Sequence, residues 1–234
     1  PPTNAAGGGA LKSRLPDAPR PSRDTWRDLV PHEPGRFITG FAAYAHHLVR
    51  AERINALDRL VILDRAGAEH VIAFDEEAYA LHLEGGLEYD TTLTRFVYQS
   101  PTAPRQWFDY DMTTRARTLR KTQEVPSGHD PSAYVARRMN ARASDGAEVP
   151  ITLLMRKDTP LDGSAPVMLY GYGSYGHAME PAFSIRNLSL VDRGWIWAVA
   201  HIRGGSDKGW GWFMDGRKEK KTNSFTDFIA CAEH

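Results

Sequence analysis

The hydrophobic pattern of this 234-residue chain changes its period once, near Val125, and that change restricts the fold more than any motif does. From Phe37 to about Val125 the apolar residues come in short runs rich in β-branched and aromatic side chains. The runs are Leu48 to Arg53, Arg59 to Asp64, His70 to Phe74, Tyr79 to Leu83, Arg95 to Gln99 and Trp107 to Tyr110, and they show no helical repeat. Ala66-Gly67, Gly85-Gly86, Ser100-Pro101 and Asp111 to Thr114 punctuate them as turns. Two groups, about Phe41 to Asp75 and about Tyr79 to Val125, recur at roughly 40 residues, the spacing of four-stranded propeller blades. An antiparallel sandwich fits the same periodicity equally well. Two blades cannot close a ring, because each buries its faces against neighbours, so the pattern implies further chain.

Beyond Val125, Pro126 to Tyr134 reads as a linker, with two prolines, a glycine and turn-forming Ser and Asp. Tyr134 to Ala143 and Val149 to Arg156 then form a predicted hairpin across Ser144-Asp145-Gly146-Ala147. A buried strand at Val167 to Tyr170, a helix near Phe183 to Arg193 ended by Gly194, and a buried strand at Trp195 to His201 follow, the order of a parallel α/β sheet. The last predicted element is a helix capped by Thr222 or Asn223, with Phe225, Phe228, Ile229 and Ala232 on one face. It reaches His234 without a stop signal, so the sequence is expected to break off inside a domain.

The 29 basic and 29 acidic residues cancel, so no global field favours nucleic acid or an anionic membrane. Cys231 alone allows neither an internal disulfide nor a cysteine-based metal site, and a reducing, cytoplasmic setting is the default expectation. No apolar run approaches the roughly 20 residues that span a bilayer as a helix. The opening PPTNAAGGGALKSR lacks the pattern of a signal peptide and reads as a cut loop or a frayed end.

No serine sits in G-x-S-x-G. Tyr172 stands where Ser174 would need a glycine, and Lys208 where Ser206 would need one, so both read as turn serines. His46 and His47 would face opposite sides of a strand and share no metal. Arg217 to Lys221 is a short basic run interrupted by Glu219, and Arg203-Gly204-Gly205 a tight turn. The stretch Tyr170-Gly171-Tyr172-Gly173-Ser174-Tyr175-Gly176 leaves two readings open. It is either an aromatic-lined turn or a strand end presenting a phenol to a developing oxyanion, since ligands of open α/β sheets bind beyond the carboxyl ends of strands.

Four blocks taken together, Leu169 to Gly176, Leu188 to Gly194, Ala200 to Gly205 and Lys221 to Ile229, closely resemble the oligopeptidase B branch of the prolyl oligopeptidase family of serine peptidases. Asn55 to Leu57, Ala73 to Glu77 and Pro126 to Pro131 resemble its later blades and its interdomain hinge. The resemblance implies a β-propeller capping an α/β-hydrolase domain. Residues 1–125 would hold the last blades, 126–133 the hinge, and 134–234 the first part of the catalytic domain, ending before the nucleophile. It also implies a cofactor-independent cytoplasmic enzyme that cuts short basic peptides after Arg or Lys, with no nucleic-acid or membrane partner. The nucleophile, Asp and His of the triad would lie beyond this chain, leaving it inactive by itself. Tyr172 would donate to the oxyanion, Tyr175 would line the primary specificity pocket, and Glu180 would meet a basic side chain next to the scissile residue. Ala182 replaces a second acid found in some members, which weakens the case for paired basic residues. Trp212 to Gly216 departs modestly from the corresponding block. Prolyl or acylaminoacyl specificity, or a non-catalytic propeller-type binding module, are the alternatives.

Overall fold

The computed structural model describes residues 11–14, 26–86 and 88–234. Of the opening segment, Leu11–Arg14 form a strand (β1) paired antiparallel with β2 (Trp26–Val30), so this part is neither loop nor frayed end. Residues 1–10 lie outside the described part.

The two strand groups form two four-stranded antiparallel sheets, each a meander with its strands in sequence order, as in propeller blades. The first contains β3 (Arg36–Ala43), β4 (His47–Ile54), β5 (Leu57–Asp64) and β6 (Glu69–Val71) in sequence order. The second contains β7 (Ala80–Glu84), β8 (Leu93–Gln99), β9 (Gln106–Asp111) and β10 (Arg117–Thr122), again as consecutive neighbours. Val49, Leu60 and Ile62 of the first sheet share one core with Leu81, Phe96 and Tyr98 of the second. Phe74 stacks on Tyr98 with ring centroids 4.9 Å apart. The predicted strand His70 to Phe74 stops at Val71, leaving Phe74 to pack as a plug between the sheets. β10 carries no strand signal in the sequence, because an edge strand exposed along its whole length needs no apolar alternation.

The second half is a mixed sheet in the order β11, β12, β14, β13. β11 (Tyr134–Arg142) and β12 (Glu148–Arg156) make the predicted hairpin, closed by Gly146 at φ +87°. β12 pairs antiparallel with β14 (Ile196–Ala200), which pairs parallel with β13 (Val167–Tyr170). Alternation along β12 and β14 puts Ile151, Ala198 and Ala200 under α3 (Thr222–Glu233), and Leu154 and Trp197 under α1 (Ile185–Val191) on the other face. A third short helix, α2 (Trp210–Met214), follows β14.

Three expectations need correction. β13 is exposed among the described residues: Val167 is 54% exposed, and β14 is the strand's one partner there. Neither Thr222 nor Asn223 caps α3, whose N-cap is Lys221; the Asn223 amide donates to the Asp215 carbonyl instead. Of the predicted apolar face of α3 only Phe228 packs on the core; Phe225 and Ile229 are 62% and 54% exposed, while Ser224, Asp227 and Cys231 face inward.

Contacts across the linker hold the halves together. The two-residue β4–β5 turn, Asn55-Ala56, has both residues in the left-handed region, as a tight hairpin requires. Its Ala56 N–H donates to the Asp207 carbonyl at 2.7 Å, and its Asn55 carbonyl accepts from Arg138. Glu77 pairs with Arg137 at 2.7 Å. In the linker, the His129 ring lies against Tyr134 and Phe183 and its Nε2 is 2.6 Å from the Thr102 carbonyl.

Candidate active site

The loop leaving β13 is fixed by its backbone. A Cβ at Gly173 (φ +60°) would lie 2.7 Å from Ile202 Cγ1 and 2.8 Å from the Arg203 carbonyl, so only glycine lets the loop rest on the exit of β14. Gly204, at φ +98°, has no room for a side chain against the Gly173 carbonyl. The Gly176 N–H donates to the Gly204 carbonyl at 2.9 Å. Below the turn, the Lys221 ammonium donates to the Gly173 carbonyl, to Ser174 Oγ at 2.9 Å and to Ser224 Oγ at 3.1 Å. Burial holds the Lys221 pKa below its ordinary value.

This immobilised backbone brings Tyr172 and Tyr175 together on one exposed turn. Tyr172 is 44% exposed and meets His177 edge to face, the centroids 5.7 Å apart. Its hydroxyl makes no hydrogen bond to another described residue. Tyr175 is 89% exposed at φ +57°, a strained region for a non-glycine residue and one that collects at functional sites. No pocket wall forms around it among the described residues.

Glu180 lies farther along the same loop, against the other half of the chain. One carboxylate oxygen is 3.3 Å from Arg53 Nη2 and the other 3.3 Å from His82 Nε2. The hydrogen bond to His82 foremost, with the Arg53 charge behind it, holds its pKa below the usual carboxylate range. Glu180 and Tyr170 also line a small cavity with Pro101, Phe183, Asn187 and Trp197, so the cavity spans both halves.

The loop is tied from behind by groups that sequence reasoning missed. Asp207 Oδ1 accepts the Met179 N–H at 3.1 Å and lies 2.9 Å from His201 Nδ1, whose Nε2 is 2.8 Å from Thr152 Oγ1. His201 and Asp207 are both fully enclosed, so this pair braces the loop and cannot reach a substrate. Ser206 is buried and Ser174 is held by Lys221; neither stands on a nucleophile turn. Among the described residues no group of His, Cys, Asp and Glu is arranged to hold a metal. No described helix is long and apolar enough to cross a membrane.

The profile described as "Prolyl oligopeptidase, N-terminal beta-propeller domain" matches residues 7–123, and that of "Prolyl oligopeptidase family" matches residues 181–234. A dipeptidyl aminopeptidase BI from Pseudoxanthomonas mexicana is 41% identical over 99% of the chain. The structure of oligopeptidase B from Trypanosoma brucei with covalently bound antipain superposes with a TM-score of 0.79 at 38% identity over 88% of the chain. A prolyl endopeptidase structure does so with a TM-score of 0.83 at 30% identity over 96% of the chain. The chain spans 31% to 32% of the length of these three proteins. The fold is therefore the last part of a β-propeller followed by the start of an α/β-hydrolase domain.

Proposed function

Because the chain belongs to the prolyl oligopeptidase family, we propose that the full-length protein is a cytoplasmic, cofactor-independent serine oligopeptidase that cuts short peptides on the carboxyl side of Arg or Lys. The observation that carries this reading is the Tyr172 hydroxyl, without a hydrogen-bond partner among the described residues, on an immobilised turn at the carboxyl end of β13, within sequence blocks like those of oligopeptidase B. The nucleophile, base and acid are assigned to parts of the protein outside this chain. We draw the division at residues 1–125 for the blades, 126–133 for the hinge and 134–234 for the catalytic domain.

In that reaction the nucleophilic hydroxyl adds to the scissile carbonyl while its base takes the proton, and the negative charge collects on the carbonyl oxygen. Tyr172 donates to that oxygen beside a backbone N–H next to the nucleophile. A donor held in place before the reaction needs no reorganisation and contributes about 3 kcal/mol. The Lys221 clamp and the glycines supply that fixity. Tyr175 contributes a face to the primary pocket, and Glu180 attracts a cation next to the scissile residue.

The deciding experiment compares arginyl, prolyl and acyl-alanyl amides on the full-length protein. kcat/KM for the arginyl amide is expected to exceed the others by roughly a hundredfold or more, with turnover stopped by a serine-directed phosphonate. Preference for the prolyl or acyl-alanyl amide would transfer the protein to those specificities. No turnover and no phosphonate labelling would leave the binding-module reading. The similarity to a dipeptidyl aminopeptidase favours a second reading, release of dipeptides from free N-termini, in which Glu180 meets the terminal ammonium. Hydrolysis of N-blocked arginyl peptides excludes it.

A further inference from the structure

Glu180 is contested. On the blade side it faces Arg53 of β4 and His82 of β7, and Arg53 is itself paired with Asp58 at 2.8 Å. Asp58 Oδ2 in turn accepts the Leu81 N–H at 3.0 Å, fixing β7 and with it His82. Arg105 and Asp58 are the further charges acting on His82, and the buried Asp207 acts on Arg53. Arg53 is shared between Asp58 and Glu180 and lies nearer Asp58, so it offsets the Glu180 charge only in part, and a protonated His82 adds a second positive partner that a neutral one does not. Both the His82 and Glu180 side chains remain accessible, at 46% and 34% exposure, so a substrate can compete for the carboxylate.

Building on the reading of Glu180 as a substrate-binding residue, we propose that His82 sets the selectivity of that site for a positively charged residue next to the scissile one. A neutral imidazole leaves the carboxylate to the substrate, and a protonated one occupies it. The hydrogen bond to Glu180 raises the His82 pKa above its ordinary value, with burial opposing. A raised histidine pKa means the bridge is complete below about pH 6.5 and is lost as pH rises through the higher folded value. Selectivity for the cation should grow over that same window.

The test uses the full-length protein and two N-blocked arginyl peptide amides that differ only in Lys or Met before the arginine. Their ratio of kcat/KM, which cancels the titration of the catalytic base, is measured from about pH 5.5 to about pH 9. The ratio is expected to rise about three- to fivefold with pH, the scale of a partly exposed ion pair. His82→Gln should hold it at its high-pH value throughout, and His82→Lys at its low-pH value. Glu180→Gln should bring it near unity at every pH. A ratio that titrates unchanged in both His82 variants, while Glu180→Gln still flattens it, overturns the role of His82 and leaves Glu180 in place. If Glu180→Gln leaves the ratio unchanged, the reading of Glu180 falls and His82 with it.

Discussion

Tyr172→Phe in the full-length protein is expected to lower kcat about a hundredfold with KM almost unchanged, the result of removing one oxyanion donor. The substitution keeps the ring against His177 and touches neither the Lys221 clamp nor the glycine contacts beneath the turn. What it removes is a hydroxyl that has no hydrogen-bond partner among the described residues, so no folded contact is lost with it. Tyr175→Phe supplies the control on the same turn. A pocket wall uses its face more than its oxygen, and kcat/KM should fall less than about fivefold. Steady-state kinetics on an arginyl amide separates the two. Equal losses, or a Tyr172→Phe defect carried by KM, would return the turn to a purely structural role.

The sequence reveals what is local and hides what is distant. The hairpin of β11 and β12 is legible because alternation and Asp145-Gly146 dictate it within one short segment. The two blades are legible as a recurrence, although β10, polar along its length, is not. The face of α3 is misread for a physical reason. Its apolar residues suggest the core, but the inward positions go to Ser224 and Asp227, which satisfy buried groups of the β14 exit: the Arg203 carbonyl for Ser224 and the Arg203 guanidinium for Asp227. Tyr172 and Tyr175 are visible as a cluster of phenols among glycines, and the roles proposed for them rest on resemblance. Lys221 sits 48 residues from Gly173 and Arg53 lies 127 residues from Glu180, so no sequence period connects either pair. Glu180 could be picked out, but not Arg53 and His82, the two blade residues that face it.

Asp227→Ala is expected to destabilise the hydrolase half by about 3–5 kcal/mol, the cost of stranding one partner of a buried ion pair. Asp227 is fully buried and takes the Arg203 guanidinium in a fork, with Nη2 at 2.6 Å and Nε at 2.9 Å, together with the Arg203 backbone N–H at 2.9 Å. Removing it leaves that guanidinium with Asp145 at 2.6 Å, a carboxylate half in water, and leaves a backbone N–H unpaired. Asp145→Ala should cost under about 1 kcal/mol, because the lost pair is largely solvated. Urea unfolding of the full-length protein, followed through the hydrolase transition, measures both. Replacing Arg203 and Asp227 together by leucine should recover much of the loss, since two apolar groups leave no stranded charge. Equal costs for Asp227→Ala and Asp145→Ala would show that the fork is not what holds Arg203. Asp227→Ala also reaches the Tyr172 turn: Gly204 follows Arg203 directly and lies against Gly173, so loosening the fork should lower kcat as well as stability if that turn holds the oxyanion donor proposed above.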